Sequence, residues 1–279
     1  MNRRKLVVGI SCVFLFLIFS LSSMVDIHPV TSPLAKAGLQ IKFDPPIWIN
    51  NNADLKNAAS SGNGTQGFPY IIENYVINSS ASAHGIQISN TNVYFIIRNC
   101  TINQTMIGGG GIRLHHVLYG QVVNNTVLNA YAGIDLEYSN YTNIYNNSIT
   151  NGHDGMQVYF CNRISIYNNS ICYNSYAGIN FWGTSNTTIS FNSINHSSIG
   201  MIFYQCYYNN VTFNSFFGNP KCIQAGLCEG NYYFGNTCGM TQIPSFTWMF
   251  AIIGIFLGTS ILLVLQMIKK PKILIHNGI

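Results

Sequence analysis

The chain has 279 residues, of which 48% are hydrophobic by type and only 8% are charged. An ordinary soluble domain is about 25% charged, and the abundance of Ile, Val, Tyr and Phe excludes a charge-rich disordered chain. The formal net charge of +5 suggests nucleic acid or a membrane surface as partner. Arg3, Arg4, Lys5, Lys269, Lys270 and Lys272 carry that excess, whereas residues 26–244 hold seven basic residues and all eight acids. The charge is therefore a topology signal at the two ends and gives no support for nucleic-acid binding.

Residues 1–25 place Arg3, Arg4 and Lys5 before an apolar run from Leu6 to Leu21. This reads as a secretory signal, or as an uncleaved anchor, since about 20 apolar residues span a bilayer. Residues 26–61 form a lead-in, with a short helix expected over Asp54–Ala59 to cover the first coil of a repeat array.

Residues 62–217 are that repeat. Ile77, Ile102, Val127, Ile149, Ile171, Ile194 and Phe216 recur every 22–25 residues, each preceded five residues earlier by another β-branched residue. A Gly-Ile or Gly-Met pair recurs at Gly85, Gly111, Gly133, Gly155, Gly178 and Gly200, followed by apolar residues at period two. Such alternation is strand with one buried face. A 22-residue period is too short for helical-pair repeats and fits one turn of a parallel β-helix, here of about seven or more coils. The fold class is therefore all-β, a parallel β-solenoid. Each repeat offers two short strands between Asn, Ser and Gly turns.

The chain has 35 asparagines, 33 of them between Asn50 and Asn236. Asn125, Asn147, Asn169, Asn192 and Asn214 occupy one column in five successive coils. They are expected at the tight left-handed bends, with amides bonded to the copies above and below. Eleven N-x-[ST] sequons follow from the same composition and become acceptors only in an exported protein.

Residues 218–244 bear Cys222, Cys228 and Cys238 and are expected to cap and link the solenoid's far end. A disulfide among these three would close that cap, while Cys206 and Cys228, one coil apart, are expected as stacked neighbours. Cys161 and Cys172 read as buried core thiols. Residues 245–268 include Phe246–Ile268, which has no charge, and form a transmembrane helix. The basic tail 269–279 stays cytoplasmic by the positive-inside rule, leaving the repeat outside the cell.

The entry segment Gly62-Asn63-Gly64-Thr65-Gln66-Gly67-Phe68-Pro69-Tyr70-Ile71-Ile72-Glu73-Asn74, the stretch Val93–Ile102 and the Asn-Asn-Ser-Ile motifs at 146–149 and 168–171 resemble NosD-like right-handed β-helix proteins. The resemblance covers about residues 42–217 and implies a right-handed parallel β-helix at the cell surface. Some members of the broader group are linked to copper-enzyme maturation and others handle polysaccharide. Its polygalacturonase-like branch uses clustered aspartates and a Gly-His-Gly loop. This chain has Gly152-His153-Asp154-Gly155 and no Asp-Asp pair.

Two outward columns follow from the alternation: Gln87, Arg113, Asp135, Gln157, Asn180 and Ile202, and Ser89, His115, Glu137, Tyr159, Trp182 and Tyr204. Aromatic rings stack on sugars and amides bond their hydroxyls, so Arg113, Glu137, Tyr159, Asn180, Trp182 and Tyr204 form a candidate glycan strip. The same columns serve equally well as a solenoid's ordinary polar exterior. Asp135 and Glu137, about 6.6 Å apart on one strand, are catalytic candidates for a polysaccharide hydrolase or lyase, with Asp154 as a third acid and His115 to tune Glu137. No spaced His/Cys ligand set marks a metal, His115 and His116 are expected on opposite sides of a strand, and a copper role rests on the family alone. No cofactor, phosphate-loop or Ser-His-Asp pattern is present. The partners expected are the lipid bilayer and a surface glycan or protein ligand.

Overall fold

The structure is a computed structural model that describes residues 43–239. The segments 1–25, 245–268 and 269–279 lie outside the described residues. Among the described residues no helix is long and apolar enough to cross a membrane.

Eight coils wind into a parallel β-solenoid of the right-handed kind, and each coil contributes three strands, one to each of three eight-stranded parallel sheets. The long-strand sheet runs from Ile47–Ile49 through Ile86–Thr91, Gly110–Val117, Ala132–Glu137, Asp154–Tyr159, Ala177–Trp182 and Ile199–Tyr204 to Lys221–Gly226. The second sheet begins at Tyr70–Glu73 and ends at Tyr232–Phe234, and the third begins at Val76–Asn78 and ends at Thr237–Gly239. Two strands per repeat thus become three. Ile72 and Ile77 stand on different strands, because Asn74, with φ 65°, turns the chain between them.

The solenoid also extends past 62–217 at both ends. Ile47–Ile49 already pairs with Ile86–Thr91 in register. The expected cap 218–244 contains a complete eighth coil as far as Gly239. Its apolar spacing is obscured because that coil presents Lys221, Gln224, Thr237 and Gly239 at strand positions. The helix α1 (Asn52–Ala58) does lie over the first coil. Asn51 caps its N-terminus by accepting from the Ala53 and Asp54 amides, and Leu55 is fully buried against the core.

The core is one continuous stack. Ile86, Ile112, Ile134, Met156, Ile179 and Met201 follow one another across the long-strand sheet, and Ile102, Val127, Ile149, Ile171, Ile194 and Phe216 across the third. Each fully buried aliphatic side chain contributes about 1.5–3 kcal/mol of transfer free energy. No single coil has a second layer to bury it against, so the stack stabilises what a coil cannot.

The recurring glycine is a packing requirement. A Cβ at Gly178 would lie 2.2 Å from Ile194 Cγ2 and 2.6 Å from the Gly200 carbonyl oxygen. Gly111, Gly133, Gly155 and Gly200 meet the same two obstacles one coil on. The long-strand and third sheets converge here, and only a hydrogen fits between them.

The asparagine column is a buried hydrogen-bond ladder. Asn147 donates both its backbone N–H and its amide to Asn169 Oδ1, at 3.0 Å each, and Asn169 does the same to Asn192. Each amide also reaches a carbonyl of the preceding coil, as Asn169 does to Ile144. The left-handed bend falls one residue earlier than the ladder. Asn99, Asn124, Asn146 and Asn168 take φ near 55°, and in later coils Phe191 and Phe213 do so. The Asn-Asn dipeptide therefore divides two tasks: the first residue turns the chain and faces solvent, and the second bonds inside.

Candidate functional site

The glycine turn changes what the long-strand sheet presents outward. Gly133 and Gly155 point inward like the residue that follows each of them, so strict alternation slips by one there. Asp154, which alternation places inside, instead faces out beside Gln157. Its Oδ2 accepts from Gln157 Nε2 at 2.7 Å. A third outward column thus runs Gly110, Ala132, Asp154, Ala177, Ile199 and Lys221. His84 heads it, its Nδ1 accepting the Gly110 N–H at 2.8 Å.

The charged centre lies on coils three to five. Arg113 donates from Nη1 to Asp135 Oδ2 at 2.7 Å and from Nη2 to Glu137 Oε2 at 2.8 Å. One guanidinium thus ties together the two acids that the strand holds two residues apart. Asp135 is only 5% exposed. Burial pushes its carboxyl up to about 6 against the pull of Arg113, and neighbouring Glu137 adds to the rise. Asp154 is 1% exposed, and burial raises it too, opposed by Gln157 and His153. Its Oδ1 has no hydrogen-bond partner among the described residues.

Tyr159 accepts from Asn180 Nδ2 at 3.1 Å, and burial together with the Asp154 and Asp135 charges raises its phenol. His115 Nε2 stands 3.8 Å from Glu137, but burial, His116 and Arg113 lower its pKa and favour the neutral ring.

The aromatic part begins where the strands end. His116, near the end of its strand, and Tyr138 and Phe160, directly after theirs, all take left-handed backbone, and their rings stack at 5.0 and 5.2 Å within 10° of parallel. His116 does not lie across the strand from His115. Its positive φ swings it round, and the two rings meet edge-on at 4.3 Å. Trp182 breaks the pattern, lying 74° from Tyr159 and 79° from Tyr204 at about 6 Å from each. It is 44% exposed, and its Nε1 donates to Gln205. In a parallel stack neighbouring rings cover each other's faces and leave edges to solvent. The ring geometry changes at Trp182 and Tyr204, where the parallel stack gives way.

The structure therefore brings Arg113, Asp135, Glu137, Tyr159, Asn180, Trp182, Tyr204, His115 and Asp154 onto one face. Sequence reasoning missed Trp48, outward in the first coil and 5.7 Å from His84, and the row His116, Tyr138 and Phe160. The signal available for that row was a ring-bearing residue repeated every 22 positions at 116, 138 and 160, one place past the column of His115, Glu137 and Tyr159.

Comparison with known proteins gives one family. The model of a family described as periplasmic copper-binding protein (NosD) matches residues 47–242. No curated protein matches. Among solved structures, ORF18 of Geobacillus virus E2 is 14% identical with a TM-score of 0.42, over 66% of this chain. The chain spans only 56% of that protein's length. An alginate lyase from Paenibacillus sp. str. FPU-7 is 13% identical with a TM-score of 0.38, over 71% of this chain and 99% of its own.

The residues present do not fit the copper of the family's description. Among the described residues no three His, Cys, Asp or Glu side chains converge as ligands. Cys100, Cys161 and Cys206 are buried, and burial pushes their thiols up to about 11, 12 and 11, away from the thiolate that binds metal. His84 Nδ1 is already occupied by the Gly110 amide.

Proposed function

The chain belongs to the NosD family, and from that premise we propose that it is an exported, membrane-anchored solenoid that binds glycan along the outward face of its long-strand sheet. The observation that carries this reading is the convergence of Arg113, Asp135, Glu137, Asn180, Tyr159, Trp182 and Tyr204 on one face. Amides and carboxylates suit sugar hydroxyls, and exposed rings out of parallel stack suit the apolar side of a pyranose. The apolar segment 245–268 followed by Lys269, Lys270 and Lys272 supports anchoring with the solenoid outside. The Cys222–Cys238 disulfide supports an oxidising compartment.

Charge narrows the ligand. Coils three to five hold three carboxylates, Asp135 and Asp154 buried beneath the face and Glu137 partly exposed on it, against one guanidinium, with His115 favouring its neutral form. A polyuronate would add anions to a face already negative, so neutral sugars are the expected class. Affinity electrophoresis of the full-length chain through gels of neutral polysaccharide tests this. Retention should disappear in Trp182→Ala with Tyr159→Ala, and equal retention of wild type and variant overturns the reading.

One observation favours a catalytic second reading: Asp135, raised to about 6, is an acid able to donate a proton near neutral pH. Glu137 shares its guanidinium, which holds both acids in place and works against their serving as an independent acid and base. Turnover of a neutral polysaccharide, lost in Asp135→Asn and in Glu137→Gln, would establish this reading; absence of turnover on a broad panel removes it.

A further inference from the structure

The corner between the long-strand and second sheets holds one small side chain per coil: Ser139, Cys161, Thr184, Cys206 and Cys228, each two residues beyond its long strand. Each donates to the carbonyl two residues before it, as Ser139 does to Glu137, Thr184 to Trp182, Cys206 to Tyr204 and Cys228 to Gly226. Each also accepts a backbone N–H from the preceding coil: Val117 bonds Ser139, Cys161 bonds Thr184, and Cys206 bonds Cys228 Sγ at 3.4 Å. Serine, threonine and cysteine are therefore interchangeable occupants of this ladder.

Two coils in a row carry cysteine only at 206 and 228. The Tyr207↔Glu229 pairing fixes their register, so the two residues are direct neighbours on adjacent coils. Strands in a sheet lie about 4.8 Å apart, within the roughly 4.4–6.8 Å Cα separation that a disulfide spans. Cys161 has Thr184 between it and Cys206, two coils away, and is excluded as a partner. The Cys222–Cys238 disulfide joins two strands of the same eighth coil and does not tie that coil to the seventh.

We propose that Cys206 and Cys228 form an inter-coil disulfide that clamps the eighth coil to the seventh. The oxidant is a disulfide-class compound such as oxidised glutathione. The half-buried Cys228 sulfur, as thiolate, attacks one glutathione sulfur and expels one glutathione thiolate. Cys206 then attacks Cys228 Sγ and expels the second, so two protein thiols become one disulfide and two glutathione thiols. Cys206 is fully buried and its thiol is raised by burial. The second step therefore belongs to folding, before the corner closes.

The test folds the full-length chain with oxidised glutathione, blocks free thiols under denaturing conditions and maps the peptides. The expected result is a linked 206–228 peptide pair beside the linked 222–238 pair, with Cys100, Cys161 and Cys172 all blocked. Blocked Cys206 and Cys228 beside an intact 222–238 link overturns the proposal. A Cys206→Ser, Cys228→Ser variant removes the clamp while its hydroxyls keep the ladder bonds to the Tyr204 and Gly226 carbonyls that the two thiols give up on forming the disulfide. Its melting temperature should fall on the order of 5–10 °C below the oxidised wild type; an unchanged value also overturns the proposal.

Discussion

The third sheet and the long-strand sheet are built by the same coils, and one outward column of each differs sharply from the other. On the third sheet one outward column reads Thr101, Thr126, Ser148, Ser170, Ser193, Ser215 and Thr237, a hydroxyl in every coil from the second to the eighth. On the long-strand sheet the corresponding column reads Gln87, Arg113, Asp135, Gln157, Asn180, Ile202 and Gln224. A repeated hydroxyl row offers the same surface at every step and cannot position a ligand along the rod. A column that changes at each step can. The inward faces of both sheets remain uniformly apolar, so the long-strand sheet varies outward without disturbing the core.

Perturbations should separate these layers. The largest effect belongs to the glycine column. Gly178→Val places carbon against Ile194 and the Gly200 carbonyl, where no space exists, and should yield no folded protein. Gly178→Ala should cost about 3 kcal/mol, measured by denaturant unfolding. The ladder comes next. Asn169→Ala orphans the Asn147 N–H inside the core, takes one bond from the Asn147 amide and strips the Ile144 carbonyl of its side-chain bond, at about 3 kcal/mol, and leaves glycan binding at the distant Trp182 unaltered in a binding titration.

A comparable effect, visible only as pH changes, belongs to Asp135. Its folded carboxyl at about 6 lies above the ordinary value of 3.8, so the folded protein holds an extra proton between those limits. That contribution to stability is complete below about pH 4 and is lost as pH rises through 6, amounting to about 3 kcal/mol. Unfolding measured from pH 4 to 8 should show a steeper slope in wild type than in Asp135→Asn, where Asp154 alone still contributes in the same direction. The smallest effects are on the exposed faces. Trp182→Ala and Thr150→Ala should each change stability by less than about 1 kcal/mol, but only Trp182→Ala should weaken glycan retention.

Much of the architecture was legible because solenoid packing imposes a period. The β-branched columns, the glycine positions and the Asn column all follow from stacking identical backbone turns. The third strand per coil was not legible: Ile72 and Ile77 look like one patterned stretch until the turn at Asn74 divides them. The eighth coil was hidden by Lys221 and Gln224 at strand positions and by cysteines that suggested a separate cap. The outward columns from Gln87 and Ser89 could be read from simple alternation. The Asp154 column could not, because it depends on the inward-pointing glycine that shifts the alternation. The stacked row of His116, Tyr138 and Phe160 depends on positive φ, which aromatic residues do not announce.

The central claim is that the long-strand face, and not the repetitive remainder, recognises a ligand. A glycan array probed with the full-length chain, its Trp182→Ala, Tyr204→Ala variant and its Thr150→Ala variant tests that claim most directly. The account predicts that wild type and Thr150→Ala bind neutral glycans alike, with uronate polymers unbound and the aromatic variant silent. Binding that survives in the aromatic variant, or an array on which wild type binds nothing, would contradict it.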